Sequence, residues 1–157
     1  MVLRIGQRVP DFALIDSNKR ERKLSEFTQK GKTLLLFFPF AFSGVCDKEM
    51  CVFRDGATKF NVLNAQVVGI SVDSIYTLKV FAQTYNLQFP LLSDFNKKVA
   101  RAYGVLHETW VANGYKGVAK RAAFVLDGKG ILRYRWSTDN PGQEPPYDEI
   151  LAALGRL

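Results

Sequence analysis

Leu34-Leu35-Leu36-Phe37-Phe38-Pro39-Phe40-Ala41-Phe42-Ser43-Gly44-Val45-Cys46 is the stretch that decides the fold. Leu34 to Phe38 is continuously apolar and follows Gly31-Lys32, the pattern of a strand buried on both faces in a parallel or mixed sheet. After Pro39 the chain is irregular until Cys46. From there Met50, Phe53, Ala57, Phe60 and Leu63 recur at helical spacing, which predicts one long helix starting near Cys46.

Working outward, Gln66 to Val72 reads as a second strand. Asp73 and Ser74 follow as helix-starting residues, before Leu78, Phe81, Ala82 and Tyr85 on one helical face. Phe89 to Leu92 reads as a short strand, Asp94 as the cap of a short helix through Tyr103, and Gly104 as a left-handed C-terminal residue. Arg121 to Leu126 and Ile131 to Trp136 flank Asp127-Gly128-Lys129-Gly130, a β-hairpin signal. Tyr147, Ile150, Leu151 and Leu154 make a final amphipathic helix. The sum is a three-layer α/β fold, with helices on both faces of a central mixed sheet.

The chain has 157 residues, 47% of them hydrophobic, which fits one domain over 1–157. The run Leu34 to Phe42 is interrupted by Pro39 and is far shorter than the roughly 20 apolar residues a bilayer requires. No membrane association is expected. The N-terminus shows no apolar core or cleavage site of a secretory signal, so the expected compartment is the cytoplasm. Lys and Arg exceed Asp and Glu, 22 to 15, a formal charge of +7. The cations are dispersed, as Lys19-Arg20, Arg22-Lys23, Lys97-Lys98 and Lys120-Arg121, without the dense stripe that nucleic-acid binding needs. Cys46 and Cys51 are too few for a disulfide framework, and with His107 alone as a further soft ligand no metal or cofactor is expected. The Pro-rich stretch Asn140 to Pro146 reads as one surface loop.

Cys46 stands where a buried strand gives way to a helix, the carboxyl edge at which α/β sites gather. Free N–H groups and the positive helix end there favour a thiolate. Read alone, a lone cysteine is more often a small buried hydrophobe. The spacing Pro39, Ser43, Cys46 resembles the active-site signature of the peroxiredoxin family: proline, three residues, threonine or serine, two residues, cysteine. The likeness extends to Pro10-Asp11-Phe12, Phe53-Arg54-Asp55, Phe89-Pro90-Leu91-Leu92-Ser93-Asp94, Ala102-Tyr103-Gly104-Val105 and Arg121. In detail it is similar to the small single-domain branch, between the bacterioferritin-comigratory (Q-type) and alkyl hydroperoxide reductase E-type classes.

That resemblance implies a thioredoxin-like fold and a thiol-dependent peroxidase acting on hydrogen peroxide and small organic hydroperoxides. It implies Cys46 as peroxidatic nucleophile, Ser43 as a hydroxyl contacting thiolate and peroxide, Pro39 as a shield, Arg121 as the cation and Glu49 as the residue orienting it. Arg54 is a second candidate cation. Serine in place of threonine at 43 removes a methyl that restrains the rotamer. A thiol of pKa about 8.5 is already roughly 7% ionised near pH 7.4, so full ionisation gains only about 14-fold, or about 1.5 kcal/mol. Most acceleration must come from donors aimed at the leaving oxygen.

Cys51 stands where Q-type relatives carry a resolving cysteine, which implies an internal disulfide reduced by a thioredoxin-like or other dithiol. On an intact helix the two Cα atoms lie about 8.7 Å apart. A disulfide needs less than about 7 Å, so closure requires local unwinding. The alternatives are a one-cysteine peroxidase with Cys51 structural, a disulfide oxidoreductase, which lacks its Cys-x-x-Cys, and a basic binding protein on the same fold. The family includes monomers and dimers. His107, Trp110 and Tyr115 read as loop or packing residues, and Asp127-Gly128 as a turn.

Overall fold

The structure, a computed structural model, describes residues 2–109 and 114–157. Trp110 lies outside them. The sheet has seven strands, β1 (Ala13–Asp16), β2 (Glu21–Lys23), β3 (Lys32–Phe37), β4 (Ala65–Ser71), β5 (Leu91–Ser93), β8 (Arg121–Leu126) and β9 (Leu132–Thr138), in the order β2-β1-β5-β4-β3-β8-β9. A two-stranded ladder pairs β6 (Leu106–His107) with β7 (Val118–Ala119). Strands β3, β4 and β5 run parallel, while β8 and β9 are antiparallel to their neighbours. The mixed sheet expected from the sequence is present.

Strand β3 shows why the run Leu34 to Phe38 is apolar throughout. Leu35 and Phe37 enter one core, with residues of α1 (Leu24–Thr28) and α5 (Lys98–Ala102). Leu34, Leu36 and Phe38 enter the other, beneath α2 (Val45–Asp55), α3 (Ala57–Val62), α4 (Ile75–Tyr85) and α6 (Tyr147–Gly155). Period-two alternation on a strand covered on both sides leaves no solvent face, so every position must be apolar.

Three expectations are corrected in detail. The long helix after Cys46 is two helices, because Gly56 (φ −85°, ψ 7°) ends α2 and starts α3; glycine is the weakest helix former after proline. The hairpin β1–β2 and the ladder β6–β7 carry no sequence signal, being short and partly exposed. Asp73 does not cap α4; Ser74 does so alone, accepting from the Thr77 amide at 3.2 Å. Gly104 does adopt the left-handed conformation (φ +71°). Among the described residues no helix is long and apolar enough to cross a membrane.

The cap position of α5 is Lys97 rather than the expected Asp94, but the Asp94 side chain serves the first amides of the helix from inside the protein. It is 2% exposed, and its two oxygens accept from the Val99 and Ala100 amides at 3.1 and 2.7 Å. Replacing Asp94 with alanine orphans two buried amides. Urea unfolding of that variant is expected to show a loss of about 1–2 kcal/mol at unchanged m value.

Candidate active site

The loop between β3 and α2 is tied to the sheet before it reaches Cys46. The Phe38 amide donates to Ile70 O at 3.1 Å, extending the parallel pairing by one residue. Ala41 N donates to Asp73 Oδ2 at 2.8 Å, and the Ser71 hydroxyl donates to the same oxygen at 2.7 Å. Burial pushes the Asp73 carboxyl above its usual range, against these two hydrogen bonds. Phe42 holds φ +64°, a conformation that side-chain-bearing residues rarely adopt. Its ring is packed on Phe81 of α4, with centroids 5.1 Å apart, so the loop is fixed from both sides.

Gly44 (φ +83°) then turns the chain into α2, placing Cys46 in the first helical turn. The sulfur is fully buried and 3.2 Å from Arg121 Nη2. Arg121 opens β8 and is itself 1% exposed. Its Nη1 donates to Glu49 Oε1 at 2.7 Å, and Nη2 also donates to Pro141 O at 2.8 Å. Glu49 is one helical turn after Cys46, so α2 presents both to the same guanidinium.

The electrostatics correct one sequence expectation. Burial pushes the Cys46 thiol above its ordinary value; the Arg121 charge, Ser43 and the Phe40 backbone pull it down by less. The helix terminus is present, but the closed site excludes the water that would solvate a thiolate. Burial works against the Arg121 charge too, yet Glu49 and Cys46 hold its pKa up. Burial raises Glu49, although Arg121 opposes the shift. The two directions describe one arrangement. Arg121 meets both Glu49 and the Cys46 sulfur, whereas Glu49 pairs with Arg121 alone and leaves Oε2 unpartnered among the described residues.

A pocket of about 200 Å³ opens onto Arg121, lined also by Pro39, Ser43, Val45, Pro141 and Gly142. The structure brings Pro39 and Ser43 together with Arg121 in that lining. The Ser43 hydroxyl donates to Phe40 O at 2.7 Å. The loop residues Pro141 and Gly142 were read from sequence only as surface. Larger clefts of about 540 and 370 Å³ lie along Phe89 and Pro90, remote from the buried sulfur. Size alone does not select the site.

Cys51 lies elsewhere. Both cysteines are free, and α2 is unbroken across them. Tyr85 is raised first by its hydrogen bond to Asp47, then by burial and by the charges of Asp47 and Cys51. Arg54 is raised first by Asp55 and further by Cys51. Cys51 stands on α2 between Asp47 and Arg54, the two residues that bind Tyr85 of α4, whereas Cys46 meets Arg121 of β8. Arg54 is not the cation of Cys46: it binds Asp55 at 2.9 Å and the Tyr85 carbonyl at 2.7 Å, closing the end of α4. His107 sits in the β6–β7 ladder, and Tyr115 stacks edge-on against Phe40 at 5.5 Å. No cluster of metal-ligating side chains occurs among the described residues.

Comparison with known proteins agrees with this geometry. The AhpC/TSA family matches residues 5–135. Alkyl hydroperoxide reductase E of Mycobacterium bovis is 35% identical, over 98% of this chain and 99% of its own. Bovine peroxiredoxin-2 is 39% identical, over 87% of this chain and 70% of its own. The crystal structure of peroxidoxin BcpB from Mycobacterium tuberculosis superposes with a TM-score of 0.87 at 33% identity, covering 98% and 97% of the two chains. These neighbours share the thioredoxin-like fold expected from the sequence. The chain therefore belongs to the AhpC/TSA family and is a peroxiredoxin-type thiol peroxidase, an enzyme that reduces peroxides.

Proposed function

We propose that Cys46 is the nucleophile of this peroxidase and that Arg121, Ser43 and Pro39 are its immediate partners. The carrying observation is the 3.2 Å contact between the Cys46 sulfur and Nη2 of Arg121, a residue that lines a small pocket. The Cys46 thiolate attacks the distal oxygen of hydrogen peroxide or a small organic hydroperoxide. An S–O bond forms, the O–O bond breaks, and water or an alcohol leaves after protonation. The sulfur becomes a sulfenic acid. Arg121 touches the attacking sulfur and borders the space where the leaving oxygen gains charge, which is where preorganised donors accelerate most. Glu49 fixes the guanidinium by taking one of its N–H groups.

Cys51 then attacks the sulfenic sulfur. The S–S bond forms, the S–O bond breaks, and hydroxide leaves as water with the Cys51 proton. A thioredoxin-like dithiol reduces the disulfide by exchange. A reducing compartment such as the cytoplasm suits this cycle. The helical span of α2 supports the unwinding requirement, since an intact helix keeps the two Cα atoms about 8.7 Å apart.

Intact mass after one equivalent of hydrogen peroxide tests the cycle. A loss of about 2 Da requiring both cysteines is expected. A gain of about 16 or 32 Da requiring Cys46 alone would leave Cys51 structural, and no rapid change would remove Cys46 from catalysis. Arg121→Ala is expected to move the thiol titration to higher pH, because it deletes the largest opposing influence on a pKa that burial raises. Stopped-flow rates extrapolated to full ionisation are expected to fall by a further factor of about 10² to 10³. An unchanged rate per thiolate would confine Arg121 to ionisation.

A further inference from the structure

Tyr85 ends α4 and holds α2 at two points. Its carbonyl accepts from Arg54 Nη1 at 2.7 Å, and its hydroxyl donates to Asp47 Oδ2 at 2.5 Å. Those two partners stand on opposite sides of Cys51 in the sequence. Asp47 belongs to the first turn, which must unwind if Cys46 is to reach Cys51; Arg54 belongs to the last turn, which does not. The other Asp47 oxygen, Oδ1, is buried with no partner among the described residues. The Asp47 carboxylate thus depends on Tyr85 in the closed state, and water satisfies both oxygens once the turn opens.

We propose that the Tyr85–Asp47 hydrogen bond is a latch on the first turns of α2, making Tyr85 and Asp47 positioning residues that set how fast the Cys46 segment opens. The same α4 face carries Phe81, on which the Phe42 ring is packed, and Phe42 also lies 6.4 Å from the Tyr85 ring. One face therefore holds both the loop before Cys46 and the turn that contains it. Closed, the latch keeps Cys46 against Arg121 for attack on peroxide. Open, it releases Cys46 toward Cys51, whose half of the helix stays anchored through Arg54. The consequence for turnover rests on the proposal that Cys51 resolves the sulfenic acid; the opening itself does not.

Tyr85→Phe removes the hydroxyl and keeps the ring contacts with Phe81 and Phe42. Hydrogen exchange of amides 46–51 in the reduced protein is expected to accelerate about tenfold in this variant, with the remainder of α4 unaffected. In rapid mixing with hydrogen peroxide, sulfenic acid formation is expected to keep its rate. Disulfide formation is expected to speed up several-fold, and the +32 Da overoxidised fraction to fall. Asp47→Ala is expected to reproduce the exchange effect, and the double variant to add little to either. Unchanged exchange at 46–51, or uniform acceleration through α2 and α4, overturns the latch. If the wild-type protein forms no disulfide, the role of Cys51 fails separately, and the exchange measurement still decides the latch. A disulfide that forms at the wild-type rate while exchange accelerates overturns the latch as the step controlling resolution.

Discussion

A nearly buried guanidinium charge at Arg121, reached from outside through a small pocket, is the constraint around which the structure is arranged. Burying such a charge is costly unless anionic or polar groups replace its hydration. The replacements are three groups from two elements: Glu49 and Cys46 on α2, and the Pro141 carbonyl from the loop before α6. Each contact therefore fixes an element as well as a charge. The group also has a charge balance. With Glu49 ionised and Cys46 protonated the cluster is neutral, and a second anion makes it negative in a dry interior. Glu49 raises Cys46, and both carry raised pKa values through burial. Glu49 and Cys46 thus draw on one guanidinium, and Arg121 opposes the effect of burial on each.

This arrangement creates a conflict that the loop before Cys46 embodies. In the proposed cycle, attack on peroxide needs the sulfur held within contact distance of the guanidinium, whereas a helix is the wrong geometry for joining Cys46 to Cys51. Phe42 at φ +64° is not a stable choice in isolation; it is imposed by Phe81 and by the Ala41–Asp73 bond. A conformation held by neighbours rather than by its own preference is one that local opening can release. The strength of the closed site and its ability to open are thus set by the same contacts.

What was legible in the sequence follows from what leaves a periodic or compositional mark. The apolar run Leu34–Phe38, the Gly104 turn and the hairpin around Asp127-Gly128 were readable because burial on both faces, a positive φ and a tight turn each demand particular residues. The break at Gly56 was missed because Phe53 and Phe60 keep facing the same core across it. Arg121 and Glu49 become candidates only through family resemblance, since nothing local distinguishes a buried, paired arginine from a solvated one. The Pro141 contact was invisible because a backbone carbonyl has no side-chain signature. Tyr85 and Asp47 were invisible as a pair because their contact exists only after α2 and α4 pack. The direction of the thiol shift was misjudged for a related reason: the helix terminus is readable locally, while full burial is a property of the assembled interior.

The remaining question is why Arg121 reaches Cys46 at all, and strand direction answers it. Strands β3 and β4 run parallel, so both carboxyl ends lie at one edge, where Phe38 and Ser71 hand the chain to the loops bearing Cys46 and Asp73. Strand β8 runs antiparallel to β3 with Phe37 opposite Ala122. Its first residue therefore arrives at the edge where β3 ends, one position beyond that pair. A parallel neighbour would bring its last residue there instead, and Arg121 would lie at the opposite end of the sheet. The antiparallel β8 is thus what lets a residue that begins one strand serve a cysteine that follows another. The remaining five residues of β8 are then free to be apolar and buried in both cores.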